Sequence, residues 1–201
     1  MNTCLIICNG TGLKDIPNDF LSKFDTFGSN RIYLRYVPDY YACINARVLD
    51  QYGAEIEAIK GCHKFIADTH KIKGAVPLHN KQQLFFGLSP LDIISEHWTV
   101  TYTLMQLAFH FGYRKVGLVG CDHYYGETDA TKRVIEGADQ YHFSEDYFKY
   151  AKWEAPNLAE CERAYRLAKG EYEAVGGEIV NLSTFTKLDV FRKESWRSWI
   201  P

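Results

Sequence analysis

Short apolar runs alternate with amphipathic stretches along this chain. Runs at residues 4–8, 24–29, 41–45, 64–67, 116–120 and 178–182 are each bounded by Gly, Pro, Asn or Asp, and they predict strands buried on both faces. Two stretches carry clear helical periodicity. Residues 99–111 place Leu104, Leu107, Ala108 and Phe111 on one face and stop at Gly112. Residues 158–175 follow Pro156 and Asn157, with Asn157 suited to an N-cap. They put Leu158, Cys161, Tyr165, Ala168 and Tyr172 on one stripe and end at Gly176 and Gly177. Residues 48–59 form a third, weaker helical pattern. Both clear helices pass through glycine directly into an apolar run, and this alternation predicts an α/β fold with a mostly parallel sheet and right-handed crossovers. Residues 126–154 break the rhythm, being rich in Tyr, Asp, Glu and Lys and poor in aliphatics. They read as a lid inserted into a single domain spanning residues 1–201, with little to bury and hence low local stability.

Composition narrows the function classes. At 201 residues, 46% hydrophobic and 24% charged, the chain can bury one sizeable core. A net charge of -2, from 23 basic and 25 acidic residues with no basic block, argues against a nucleic-acid polymer as partner. No apolar stretch approaches the roughly 20 residues of a membrane span. The first apolar run is too short for a signal peptide and lacks a basic flank, so a cytoplasmic location is expected. The six cysteines contain no C-x-x-C pair, and Cys4, Cys8, Cys43 and Cys121 fall in strand-like runs, which points to buried free thiols. Asp122 and His123 could ligate a metal, but adjacent residues at a strand end point apart, and no metal site is expected.

The candidate chemistry lies at the ends of the apolar runs. In a parallel sheet, ligands bind beyond the carboxyl ends of the strands. Four such ends carry polar residues of one flavour: Asn9-Gly10-Thr11-Gly12, Ser29-Asn30, Asn45, and Gly120-Cys121-Asp122-His123-Tyr124. Glycine lets backbone approach a ligand and exposes N–H donors suited to phosphate. Asparagine offers a donor and an acceptor without charge, as a ribose or base requires. Any one of these residues could simply close an Asx turn, but their agreement over four strand ends predicts a nucleotide pocket. The N-G-T-G run matches neither G-x-G-x-x-G nor G-x-x-x-x-G-K-[ST], which disfavours an ordinary dinucleotide or Walker-type site.

Two stretches carry a family resemblance. CLIICNGTGLKDI followed by FDTFGSNRIYL resembles the opening of the bacterial family 42 sialyltransferases. VTYTLMQLAFHFGYRKVGLVGCDHYY resembles the MptE-like 6-hydroxymethylpterin diphosphokinase domains, as do DQYHFSEDYF and NLSTFTKLDVF. Together these matches run from Cys4 to Arg192, and both families share a Rossmann-like core. The resemblance implies that Asn9 and Gly10, with Thr11 in the same turn, sit against the nucleotide phosphates with Asn30 beside them. It implies that Asn45 and Asp122 touch the ribose, that Gly120 faces the base, and that Thr101 of the V-T-Y helix lies at the nucleotide. Tyr124 would reach the phosphate of the leaving nucleotide. His142 would act as general base towards an acceptor hydroxyl, a role that suits a side chain titrating near neutrality.

One departure bears on the donor. Where the sialyltransferases carry an arginine and then T-S-G ahead of the V-T-Y helix, this chain has His97-Trp98-Thr99, which puts a sialic acid donor in doubt. The leading expectation is a transferase using a nucleotide-activated sugar of the CMP type, with no cofactor. The alternative is diphosphate transfer from ATP to a pterin-like alcohol, which would use Mg²⁺. A non-catalytic nucleotide-binding module is a third class. The aromatic tail with Trp196 and Trp199 reads as a docking segment, and a homo-oligomer is possible.

Overall fold

The computed structural model describes residues 1–126, 134–136, 140–148 and 152–200, with the backbone alone at 134–136 and 152–154. In chain order its strands are β1 (Thr3–Ile7), β2 (Asp25–Ser29), β3 (Tyr40–Cys43), β4 (His63–Ala67), β5 (Ala75–Leu78), β6 (Asn80–Lys81), β7 (Ile94–Ser95), β8 (Lys115–Val119), β9 (Val134–Glu136), β10 (Lys152–Glu154), β11 (Glu178–Asn181) and β12 (Arg192–Lys193). The helices are α1 (Asn18–Leu21), α2 (Ala46–Ala58), α3 (Val100–His110) and α4 (Leu158–Ala174).

Eight strands form one sheet in the order β12-β11-β8-β1-β2-β3-β4-β5, and every pairing within it is parallel. A mostly parallel, Rossmann-like sheet flanked by helices is therefore the fold, as the apolar pattern implied. The sheet interior is apolar on both faces because both faces are covered. Cys4 and Ile6 of β1 join α3 and α4 in one core cluster, while Leu5 and Ile7 join α2 in the other. Alternate residues of one strand thus serve two cores, which is why β1 reads as an unbroken run rather than an alternation.

Asn45 starts α2, where its side chain accepts from the Val48 amide at 3.2 Å. Asn157 does the same for α4 through the Glu160 amide at 3.2 Å. Thr99 caps α3 by accepting from the Thr101 amide. β5 escaped the sequence pattern because it is an edge strand with Pro77 and a largely exposed face, a setting in which a missing N–H costs nothing.

One expectation meets a different structure. Part of the 126–154 insertion is firmly anchored: Phe143 and Tyr147 are buried in the α2-side core. Aromatic side chains do the burying that the scarcity of aliphatics seemed to deny. The tail docks on the chain's own sheet. Trp199 is buried against Gly117 and lies under the Lys115 ammonium at 4.4 Å, while Trp196 packs on Phe20 at 5.1 Å between ring centres.

Strand order reverses at β1, which has β8 on one side and β2 on the other. The crevice beyond the carboxyl ends of these strands is where a ligand finds room in such a sheet.

Candidate functional site

A cleft of about 820 Å³ opens at that position. Asn9, Gly10, Asn30, Asn45, Thr101, Gly120, Asp122, Tyr124 and His142 all line it, and Thr11 faces an adjoining pocket. Asn9 and Gly10 stand at the end of β1, Asn30 at the end of β2, and Gly120, Asp122 and Tyr124 beyond β8. Asn45 and Thr101 come from the first turns of α2 and α3.

The two glycine amides of the turn after β1 are not free to face the cleft. Gly10 N–H donates to the Gly120 carbonyl at 2.9 Å, and Gly12 N–H donates to Asp122 Oδ2 at 2.9 Å. The Thr11 hydroxyl donates to the same Oδ2 at 2.8 Å. The carboxylate of Asp122 already fills the anion seat that the turn offers. Burial pushes its carboxyl above the usual carboxylate range, and the hydrogen bonds from Gly12 and Thr11 pull the other way. A Cβ on Gly10 would lie 2.5 Å from Asp122 Cγ and 2.6 Å from the Gly120 carbonyl oxygen. Only glycine fits beneath this lock.

The asparagines divide their roles by which atom is spoken for. The Asn9 side-chain nitrogen donates to Ser29 O and Oγ at 3.4 and 3.3 Å, and its Oδ1 is buried with no partner among the described residues. An orphaned acceptor of this kind matches a hydroxyl or amino donor better than a phosphate oxygen. At Asn30 the oxygens are used instead: the backbone carbonyl accepts from Tyr41 OH at 2.6 Å, and Oδ1 from the Cys43 thiol at 3.5 Å. That leaves the Asn30 amide nitrogen as a donor. Asn45 Oδ1 is committed to the α2 cap.

Among the described residues three non-glycine positions have positive φ: Asn30 (52°), Trp98 (68°) and His123 (51°). All three line the cleft. Backbone held in this region costs of order 1–3 kcal/mol per residue and gathers at functional sites. Of the three, the sequence pattern assigned a nucleotide-binding role to Asn30 alone. His123 is the least expected of the three. Its side chain is 6% exposed, with Nε2 3.4 Å from Glu162 Oε1. Burial lowers its imidazole from the usual range, against the opposing pull of Glu162. Arg47, on the first turn of α2, also lines the cleft and was not anticipated. Nothing in the local pattern marks it apart from other helical arginines.

His142 arrives from the insertion. Its residue bridges Gly10 in antiparallel fashion, and the next amide, Phe143 N–H, donates to the Asn9 carbonyl at 3.0 Å. The imidazole stacks on Tyr147 at 4.1 Å and 8°. Arg31 holds this segment down. The guanidinium is 2% exposed and donates through Nη1 to the carbonyls of Asp146 and Tyr147, both at 2.6 Å. Nη2 pairs with Glu55 at 3.1 Å, and the group lies 3.9 Å over the Tyr52 ring. Tyr124 stands at the cleft mouth, 45% exposed.

His97 is no substitute for an arginine at the cleft wall. It is buried, with Nδ1 3.0 Å from the Gln82 carbonyl and Nε2 2.9 Å from Glu160 Oε2, so both ring nitrogens are engaged. Among the described residues no group of three His, Cys, Asp or Glu side chains is placed to hold a metal ion, all six cysteines are free, and no helix is long and apolar enough to cross a membrane.

No protein-family model and no curated protein sequence matches the chain. Among solved structures the chain is similar to the sialyltransferase CstII from Campylobacter jejuni, solved in complex with the substrate analogue CMP-3FNeuAc. The TM-score is 0.52 at 15% identity, over 96% of this chain and 86% of that one. The two proteins share a fold across nearly their whole lengths.

Proposed function

We propose that the chain is a glycosyltransferase-like transferase using a nucleotide-activated sugar of the CMP type. The observation that carries this reading is the pair of complementary amides at the ends of adjacent strands: the orphaned Asn9 acceptor and the available Asn30 donor. Asn9 Oδ1 would accept from a sugar or ribose hydroxyl, while the Asn30 amide nitrogen and the Tyr124 hydroxyl would donate to the phosphate. Gly120 and Thr101 would contact the nucleoside, with Gly10, Thr11 and Asp122 shaping the floor. That the fold neighbour was solved with a CMP-sugar analogue supports the same class.

In the transfer, an acceptor hydroxyl oxygen bonds to the anomeric carbon as the bond from that carbon to the phosphate oxygen breaks. The bonding pair leaves on the phosphate, and the hydroxyl proton passes to His142. No metal enters any of these steps. The cleft wall lacks an arginine at His97, which favours a donor other than a sialic acid.

The second reading is ATP-dependent diphosphate transfer of the MptE-like kind with Mg²⁺, for which Asp50, Glu96 and Asp122 are the carboxylates that line the cleft. A thermal-shift panel of CMP, CDP, UDP, GDP and ATP, each with and without Mg²⁺, separates the two. At 100 Kd a ligand stabilises by about 2.7 kcal/mol. Stabilisation by cytidine nucleotides without Mg²⁺ supports the sugar transferase, and stabilisation by ATP only with Mg²⁺ supports the diphosphokinase. No response to any nucleotide overturns both.

A further inference from the structure

The cleft is uneven in character. Towards α2 its wall is polar, with Asn30, Asn45, Arg47 and Gln51. Towards α4 it is apolar. Cys8, Cys121, Cys161 and Tyr165 line that end as members of the α3–α4 core cluster, and Trp98 packs against the same cluster. Such a wall suits a flat, weakly polar ring, which makes it the base end of a bound nucleotide.

One titratable side chain is set into this apolar end. His123 lines the cleft with its ring 6.1 Å from Tyr165, on backbone held at a φ of 51°. Its Nε2 is buried and has no hydrogen bond among the described residues. The group facing that nitrogen is Glu162 of α4, whose Oε1 lies 3.4 Å away. Its other oxygen, Oε2, is tied to Arg166 at 2.6 Å, which keeps the carboxylate charged and in place. An imidazole buried in strained backbone with a nitrogen unsatisfied costs stability. Packing gives no reason for it, and a ligand does.

We propose that His123 selects the nucleobase, its Nδ1 accepting from an exocyclic amino group while Glu162 acts as the positioning residue that fixes the tautomer. A neutral imidazole carries one N–H and one lone pair. A carboxylate oxygen 3.4 Å from Nε2 accepts but cannot donate, so it holds the proton on Nε2. Nδ1 is then an acceptor, in an apolar wall with no water to relax the choice. Cytosine and adenine present an amino group on the edge where uracil and hypoxanthine present a carbonyl. A carbonyl would meet the Nδ1 lone pair with a lone pair of its own, leaving both buried and unpaired. The proposal rests on the nucleotide reading of the cleft, and it is the same for a CMP-type donor and for ATP.

Calorimetry on the full chain with CMP against UMP, and AMP against IMP, tests the selection. In whichever pair binds, the amino member should bind at least about tenfold tighter than its keto partner. His123→Asn should bring that ratio within about threefold. Asparagine tolerates the positive φ, so the backbone is kept, and its amide can rotate to accept or donate. Glu162→Gln should bring the ratio to about one or below, because the amide oxygen no longer forces the proton onto Nε2. Nitrogen-15 spectra of the histidines should place the His123 proton on Nε2 in the parent, a readout that needs no variant to fold. A parent proton on Nδ1 overturns the proposal, as does a ratio left unchanged by both variants. If nucleotides bind with amino and keto members within about threefold, the nucleotide reading stands and this proposal falls. If none of the four binds, both fall.

Discussion

Replacing Arg31 by alanine tests how the segment bearing His142 is held. The guanidinium makes two hydrogen bonds of 2.6 Å to the Asp146 and Tyr147 carbonyls, faces Tyr52, and is 2% exposed. Hydrogen bonds to a charged group contribute about 1.5–3 kcal/mol each, and removing one partner strands the other. Glu55 is 37% exposed, so its carboxylate returns to water and the ion pair itself adds only about 0–1 kcal/mol. Breaking a buried charged cluster of this kind costs about 3–5 kcal/mol. For a chain of this size that corresponds to a fall in Tm of about 6–20 °C. Urea unfolding of parent and variant measures it directly. Hydrogen exchange at Phe143 N–H, bonded to the Asn9 carbonyl, should also quicken beyond what global destabilisation accounts for. A loss below about 1 kcal/mol, with Phe143 protected as in the parent, would show that the aromatic packing alone holds the segment and that the Arg31 clamp is incidental.

Gly10→Ala should destabilise by about 1–3 kcal/mol in urea unfolding, because the new Cβ meets Asp122 and the Gly120 carbonyl; a neutral result would mean that the turn can open. His123 and Asp122 should bend the pH dependence of stability in opposite directions. His123 is lowered by burial, so the unfolded chain protonates first, and stability falls as pH drops below the unfolded value of about 6.5 towards the lower folded one; His123→Gln should flatten that acid-side fall. Asp122 is raised by burial, so its contribution is present when protonated and lost as pH rises from the unfolded value of about 3.9 through the folded one; Asp122→Asn should remove that loss. Unchanged slopes in urea titrations across this range would refute both assignments. With a working donor and acceptor, His142→Ala should lower kcat by at least about a hundredfold while nucleotide affinity moves within a few-fold; near-normal turnover removes His142 from the mechanism.

The strands and long helices were legible because their causes are local. An apolar run such as residues 4–8 signals burial on both faces, and Asn157 or Gly176 ends a helix by geometry within a few residues. The strand ends bearing Asn9, Asn30 and Asp122 were legible for the same reason, since a parallel sheet delivers whatever follows each strand to one edge. What those residues do there was not. The turn amides read as a phosphate cradle until Asp122, 110 residues from Gly12 in sequence, is found seated in them. Asn45 read as a strand end until the chain beyond it coiled into α2 and used its oxygen as a cap. The insertion read as having little to bury until Arg31 met the Tyr147 carbonyl from 116 residues away. Sequence pattern reports the environment a residue needs, through spacing and polarity. Which donor meets which acceptor is decided only when the sheet brings distant strand ends together, because a hydrogen bond is fixed by a few ångströms of position that no local period encodes.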